Sequence, residues 1–453
     1  MASCSGTQKK NLATDNDKRT LTFASDDEFL DFIQKSHLNY MWDGAEKTSG
    51  LAPERIHIDG NYPQNDADVV TTGGSGFGIA GLIVGIERGF ISRSEGVARL
   101  HQITNFLARA PRYHGVWSHW IDGPTAQTKP FGKKDNGGDL VESAFLMQGL
   151  LCAREYFKDG DKTEKELAQK IDTLWREMDW TWYLHGKDVL YWHWSPDYGW
   201  EMNFPLRGYN ECLITYILAA SSPTHTIPAS AYHKGWARNG DIKSNAEAYG
   251  LPLLLKHNGA EAYGGPLFWA HYSYIGLNPK GLKDEYADYW EVNRNQALIN
   301  HHYCVQNPKG FKGYGDNCWG LTASYSVKGY TAHMPMTNDI GVITPTAALS
   351  SFPYTPRESM LALRHFYFDL GDKLWGKYGF YDAFSIQDGW YPQRYLAIDQ
   401  LTIAPMIENY RTGLLWKLFM GAPEIQKGLK KLGFTFETSG ARASQSTFSA
   451  KDQ

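Results

Sequence analysis

One stretch constrains the chain more than any other. Lys134-Asp135-Asn136-Gly137-Gly138-Asp139-Leu140-Val141-Glu142 runs into Ser143-Ala144-Phe145-Leu146-Met147-Gln148-Gly149-Leu150-Leu151. A glycine-bearing loop with three carboxylates feeds a helix that is apolar on almost every side. Such a helix belongs inside a protein. Its start then becomes a buried or half-buried platform for Asp135, Asp139 and Glu142. Asp139 followed three residues later by Glu142 also fits a capping box. Capping and function are compatible at a helix start that opens on a cleft. Clustered carboxylates in a cleft are the raw material of acid–base chemistry.

The same theme recurs along the chain. Ser25-Asp26-Asp27-Glu28, Ser92-Arg93-Ser94-Glu95 and Thr355-Pro356-Arg357-Glu358 each spell a capping box ahead of helically spaced apolar residues. Short, nearly all-apolar helices are expected at 76–88, 139–152, 209–220 and 343–350. Amphipathic, charged helices are expected at 92–109, 163–179, 282–303 and 357–370, with further helices at 405–419 and 422–432. Strand-like alternation is confined to short pieces such as Asp188 to Trp194. Alternating buried and surface helices imply an all-α fold. About ten to twelve helices suit a double ring, an (α/α)6 toroid with long aromatic loops and minor short strands. Residues 21–435 read as one catalytic domain, flanked by a flexible segment at 1–20 and a tail at 436–453.

Composition narrows the function classes. The chain has 453 residues and a formal net charge of −4, with no basic footprint for nucleic acid. Apolar runs such as Ile79 to Ile86 are far short of the roughly 20 residues a membrane span needs. Aromatics are abundant, with 16 Trp, 27 Tyr and 21 Phe. Many sit beside polar residues, as in Trp117-Ser118-His119-Trp120-Ile121-Asp122 and Tyr191-Trp192-His193-Trp194. A flat apolar face with a polar edge suits a sugar ring. Gly76-Phe77-Gly78-Ile79-Ala80-Gly81 spells the dinucleotide fingerprint but runs on into another helix at Ser92. It reads as close helix packing and not as a nucleotide site.

A second helix entry echoes the first. Gly208-Tyr209-Asn210-Glu211 precedes the apolar run Cys212 to Leu218, which sets Glu211 on the first turn of another buried helix. Further acids lie in late loops: Asp382, Asp388, Asp399 and Glu408. Asp399 stands between apolar residues, whereas Glu408 three residues before Arg411 fits a structural ion pair. Asp43 in Trp42-Asp43-Gly44 suits either a ligand contact or a turn. Glycoside hydrolysis needs one protonated acid and one ionised carboxylate, and burial differentiates the two. No cofactor or metal is expected, because His114, His119, His301 and His302 lack partners at metal spacing. The cysteines show no paired spacing. Cys152 and Cys212 read as buried thiols, and pairing of Cys304 with Cys318 is not expected.

Six blocks carry a family resemblance: Thr71 to Gly78, Asp135 to Glu142, Leu190 to Pro196, Gly208 to Cys212, Asp316 to Thr322 and Glu408 to Gly413. Together they resemble the glycoamylase-like proteins of glycoside hydrolase family 144, which are similar to bacterial endo-β-1,2-glucanases. The resemblance runs in order over roughly residues 25–435. It implies an (α/α)6 barrel and an inverting hydrolase of linear β-1,2-glucan that yields sophorose and short oligosaccharides. By that resemblance Glu211 is the general acid and Asp399 falls where the base would lie. Asp135, Asp139 and Glu142 would line the cleft and hold sugar. Candidate substrate contacts beside them are Trp120, His119, Tyr191, His193, Trp194, Trp319 and Asp43. Exo-acting release of sophorose is the alternative within the family. A polysaccharide lyase using Tyr191 and His193, or a non-catalytic glycan-binding lipoprotein, are alternatives on the same toroid. Met1-Ala2-Ser3 before Cys4-Ser5-Gly6-Thr7 resembles a mature bacterial lipoprotein, whose first cysteine carries lipid. The expectation is a monomer in the periplasm or tethered to the outer membrane of a Gram-negative bacterium.

Overall fold

The computed structural model describes residues 21–437. Cys4, the 1–20 segment and most of the 436–453 tail lie outside the described residues. Fourteen α-helices carry most of the regular structure described. They are α1 (Asp26–Trp42), α2 (Thr72–Glu87), α3 (Arg93–Arg109), α4 (Leu140–Phe157), α5 (Lys162–Arg176), α6 (Leu213–Ser221) and α7 (Tyr289–Gln306). The remainder are α8 (Pro345–Leu349), α9 (Pro356–Arg364), α10 (Gly371–Leu374), α11 (Ala397–Gln400), α12 (Ile403–Arg411), α13 (Leu414–Gly421) and α14 (Pro423–Lys431). No described helix is long and apolar enough to cross a membrane.

The helices sort into the two kinds their sequences dictate. Every residue of α6 and α8 is buried, as are nearly all of α2 and α4. Helices α3 and α5 bury one stripe and expose their charges. Helix α2 packs on α4, α1, α12 and α3, and α4 packs in turn on α5, α6 and α13. The α2–α4 crossing is close because glycines face it. A Cβ on Gly76 would sit 2.2 Å from the Phe145 carbonyl oxygen, and one on Gly149 would sit 2.0 Å from the Gly76 carbonyl oxygen. The glycine motif is therefore a packing device. The short strand before it, Val69–Thr71, pairs antiparallel with Trp120–Asp122 and supplies no nucleotide-binding unit.

Some expected details hold and others differ. Ser92 with Glu95 forms a full capping box. Thr355 does not cap α9, because its hydroxyl donates to the Ser351 carbonyl. The 405–419 helix is split into α12 and α13 at Gly413, which adopts a left-handed φ of 69°. The alternating run at 188–194 forms only the two-residue strand His193–Trp194, paired with Gly138–Asp139. Cys152, Cys212, Cys304 and Cys318 are buried free thiols.

The starts of the buried helices gather on one face. The Thr72 hydroxyl at the start of α2 donates to the Ser118 carbonyl, and Gly73 N–H donates to the Glu142 carboxyl on the first turn of α4. Ser273 holds the Glu211 carbonyl just before α6. The Thr346 hydroxyl in α8 donates to the Asp399 carbonyl in α11.

Candidate active site

Asp139 is the fixed point of this face. It is fully buried and caps α4, its Oδ1 accepting from Val141 N–H at 3.0 Å and Glu142 N–H at 2.9 Å. Its Oδ2 accepts from His119 Nδ1 at 2.9 Å and the Trp192 indole N–H at 2.8 Å. With four donors engaged, Asp139 anchors the site and has no free oxygen for a reacting group. The capping box is only half formed. Glu142 turns away from the helix start and accepts from Gly73 N–H at 2.8 Å. Burial pushes the Glu142 carboxyl well above its ordinary range, and the nearby His119 works against that rise. Burial opposes charge on His119, but Glu142, Asp139 and Asp135 together raise the imidazole well above its ordinary value.

Asp135 is 4% exposed and no donor satisfies either carboxyl oxygen. His193 Nε2 lies 3.2 Å from Asp135 Oδ1, and the same nitrogen accepts from Gly137 N–H at 3.2 Å. With that nitrogen accepting from Gly137, neither Asp135 oxygen has a donor. His119, Asp135 and Asp139 place donor atoms within 4.8 Å of one another. His119 and Asp139 already satisfy each other there, so the trio reads as a hydrogen-bonded histidine–carboxylate pair beside a free acid.

Glu211 lies in the turn before α6, two residues ahead of the helix, and not on its first turn. It is half-buried. Burial pushes its carboxyl up to about 7; its own backbone N–H works against that rise, Asp139 adds to it, and Trp269 lowers it slightly. It is therefore substantially protonated near neutral pH.

A second acid group lies across Tyr272, whose ring packs between Phe77 at 5.1 Å and Phe145 at 5.6 Å. The Tyr272 hydroxyl donates to Asp399 Oδ1 at 3.0 Å. Asp382 is buried beside Asp399 and accepts from Tyr325 N–H at 2.8 Å. Burial raises both carboxyls, and Asp382 further raises Asp399. Tyr330, a residue 60% exposed, carries a hydroxyl that feels Asp399, Asp382, Glu54 and Glu142 together.

The remaining sequence candidates divide. Trp120 is buried beside Phe131, which stacks on His119 at 4.2 Å. Trp194 is half-buried, edge-on to His114 at 4.8 Å. Tyr191 is buried against Trp200 and His185. Trp319 has no exposed surface and its indole donates to the Glu358 carbonyl, so it is a core residue without a face for sugar. Asp43 ends α1 in the field of Arg99, on an exposed turn apart from the acids. Sequence reasoning missed Trp192, Trp269 and Tyr272, which hold Asp139, Glu211 and Asp399, and it left Asp382 unselected. Each is an unremarkable member of an aromatic or acidic cluster, with no local pattern to single it out.

A helical scaffold that buries several carboxyls with raised proton affinity among aromatic rings, Glu211 at about 7 among them, has the equipment of a glycoside hydrolase. Comparison with known proteins agrees. The glycoamylase family model, described as "Putative glucoamylase", matches residues 203–423. The endo-beta-1,2-glucanase of Chitinophaga pinensis, solved with sophorotriose and glucose, is 62% identical. That match covers 91% of this chain and 99% of that one, with a TM-score of 0.90. An exo beta-1,2-glucooligosaccharide sophorohydrolase (non-reducing end) of Parabacteroides distasonis is 45% identical over 448 residues, covering 93% of this chain. The chain spans 60% of the length of that curated relative. An endo-beta-1,2-glucanase of Talaromyces funiculosus, solved with sophorose, is 12% identical with a TM-score of 0.63 over 89% of each chain, a likeness of fold alone. The chain belongs to the glycoamylase-like family of bacterial β-1,2-glucanases.

Proposed function

We propose that the protein hydrolyses linear β-1,2-glucan with inversion, cutting within the chain to give sophorose and short β-1,2-glucooligosaccharides. Glu211 carries this reading: a carboxyl raised to about 7 by burial holds a proton for the leaving oxygen near neutral pH. On the opposite side of the bond, the Asp399 and Asp382 acids take the proton of the attacking water. Asp135, whose two buried oxygens have no donor, and the aromatic rims at Phe131 and Trp194 bind the sugar. The endo mode is supported by the 62% identical endo-glucanase, 99% of whose length the match covers. The 45% identical sophorohydrolase supports the exo alternative, and the chain-length distribution of early products separates the two.

The fold reading extends to a toroid, with α2, α4, α6, α8 and α12 as inner helices and α3, α5, α9 and α14 among the outer ones, in one catalytic domain. Attachment of lipid at Cys4, a location outside the cytoplasm and a monomeric state complete the proposal. Glu211→Gln tests its centre. The variant should fold, bind β-1,2-glucan and lose hydrolysis by about 10²–10⁴-fold. Full activity on β-1,2-glucan in that variant, or cleavage only of β-1,3- or α-1,4-glucan by the unaltered protein, would sink the proposal.

A further inference from the structure

The Asp382 and Asp399 carboxyls raise a question of hydrogen-bond accounting. Their backbones are pinned. Asp382 N–H donates to the Arg394 carbonyl at the start of the strand that leads into α11, and Thr346 holds the Asp399 carbonyl. Each carboxyl receives one donor from the protein: Tyr325 N–H on Asp382 Oδ2 and the Tyr272 hydroxyl on Asp399 Oδ1. The other two oxygens, Asp382 Oδ1 and Asp399 Oδ2, are buried and no donor reaches them. The two side chains lie within hydrogen-bond reach of one another. Arg55, whose charge acts on Asp382, is already engaged by Asp66 at 3.0 Å and Glu54 at 3.6 Å. Two ionised carboxylates in contact, with no donor between them, repel and leave buried acceptors unmet. One proton removes both difficulties.

We infer that Asp382 and Asp399 share a single proton, so that Asp382 is the proton-sharing partner through which Asp399 serves as base. The inference rests on the hydrolase reading above and assigns Asp382 a positioning role in it. The groups facing the pair fit this state. Tyr272, Glu54 and Tyr330 face Asp399, and Tyr325 and Arg55 face Asp382. The Tyr272 hydroxyl and Tyr325 N–H are donors only to the pair, and Glu54 adds negative charge that favours retention of the proton. The shared proton lies between Asp399 Oδ2 and Asp382 Oδ1, the two oxygens that no other donor reaches, and the pair as a whole holds one negative charge. In the reaction an O–H bond of water breaks and its proton passes to the pair, which becomes neutral. The water oxygen bonds to the anomeric carbon as the glycosidic C–O bond breaks. Glu211 gives its proton to the leaving oxygen. After product release the pair returns one proton to solvent and Glu211 takes one up, so charge and protons balance over a turnover.

The test is carbon-13 NMR of the full chain labelled at the aspartate γ-carboxyl, each resonance assigned by its loss in Asp382→Asn or Asp399→Asn. Sharing predicts that both resonances move in both of two separated titration steps. It also predicts that Asp382→Asn collapses the Asp399 curve to one step, lower by about one pH unit or more, because a like charge is gone and an amide donor has arrived. Two independent one-step curves, with Asp399 unmoved by Asp382→Asn, overturn the inference. If Asp382→Asn does not fold, the Asp382 curve in Asp399→Asn gives the same reading. Hydrolysis of β-1,2-glucan by the unaltered protein is scored separately, so failure of the function and failure of the proton sharing are distinguishable.

Discussion

Replacing Trp269 by phenylalanine should raise the pH at which activity falls. With the Glu211 carboxyl at about 7, roughly ten in eleven molecules hold the proton at pH 6 and one in eleven at pH 8, so the rate drops about tenfold between them. The Trp269 side chain holds that value down, though less than Glu211's own backbone N–H does. A hydrogen bond to a charged group is worth about 1.5–3 kcal/mol when buried, or about one to two pH units at 1.36 kcal/mol per unit. Glu211 is half-buried, and water replaces part of the lost bond. The alkaline limb of kcat/KM should therefore move up by about half to one unit. Phenylalanine keeps most of the packing against Phe268 and His257. The assay is initial rates of reducing-end release from β-1,2-glucan between pH 5 and pH 9. A limb that stays in place, or moves down, would refute Glu211 as the group that sets it.

Three further perturbations probe the frame of the site. In Gly73→Ala the new Cβ would lie 2.3 Å from Glu142 Oε2 and push that carboxyl off the Gly73 N–H. We expect kcat to fall by about 10–100-fold, with little change in melting temperature because alanine favours the helix by about 1 kcal/mol; a normal kcat would contradict a working role for that contact. Gly76→Ala meets the rigid Phe145 carbonyl at 2.2 Å. Overpacking of about 1–3 kcal/mol should outweigh the propensity gain and lower the urea midpoint, whereas an unchanged midpoint would mean the crossing is looser than described. Glu408 is fully buried and accepts from Arg88 at 2.8 Å, Gln34 at 3.1 Å and Thr412 at 2.7 Å. Glu408→Gln should cost about 3 kcal/mol of stability, at the lower end for a broken pair because Arg88 keeps some solvent, with activity per folded molecule unchanged.

The sequence makes the scaffold legible because helical burial is written in local periodicity. The all-apolar runs at 139–152 and 209–220 are buried helices, and the glycines at 76 and 149 mark a close crossing. Asp139 as a helix cap follows from its spacing to Glu142. What Glu142 does instead of closing the box depends on Gly73, sixty-nine residues away, and no local rule reaches that far. The same holds for Trp192 on Asp139, Trp269 on Glu211 and Tyr272 on Asp399. Trp319 looked like Trp120 and Trp194 in its polar aromatic context, but it faces the Glu358 backbone. Identity of residue type is local, whereas the partner that gives a carboxyl its charge state is tertiary.

Hydrolysis of β-1,2-glucan by water attack opposite a protonated Glu211 inverts the anomeric centre. Proton NMR of linear β-1,2-glucan during the first turnovers tests it most directly. The account predicts reducing ends that appear first as the α-anomer, in oligosaccharides whose lengths span the chain. Reducing ends that appear first as the β-anomer, or an unaltered polymer, would contradict it.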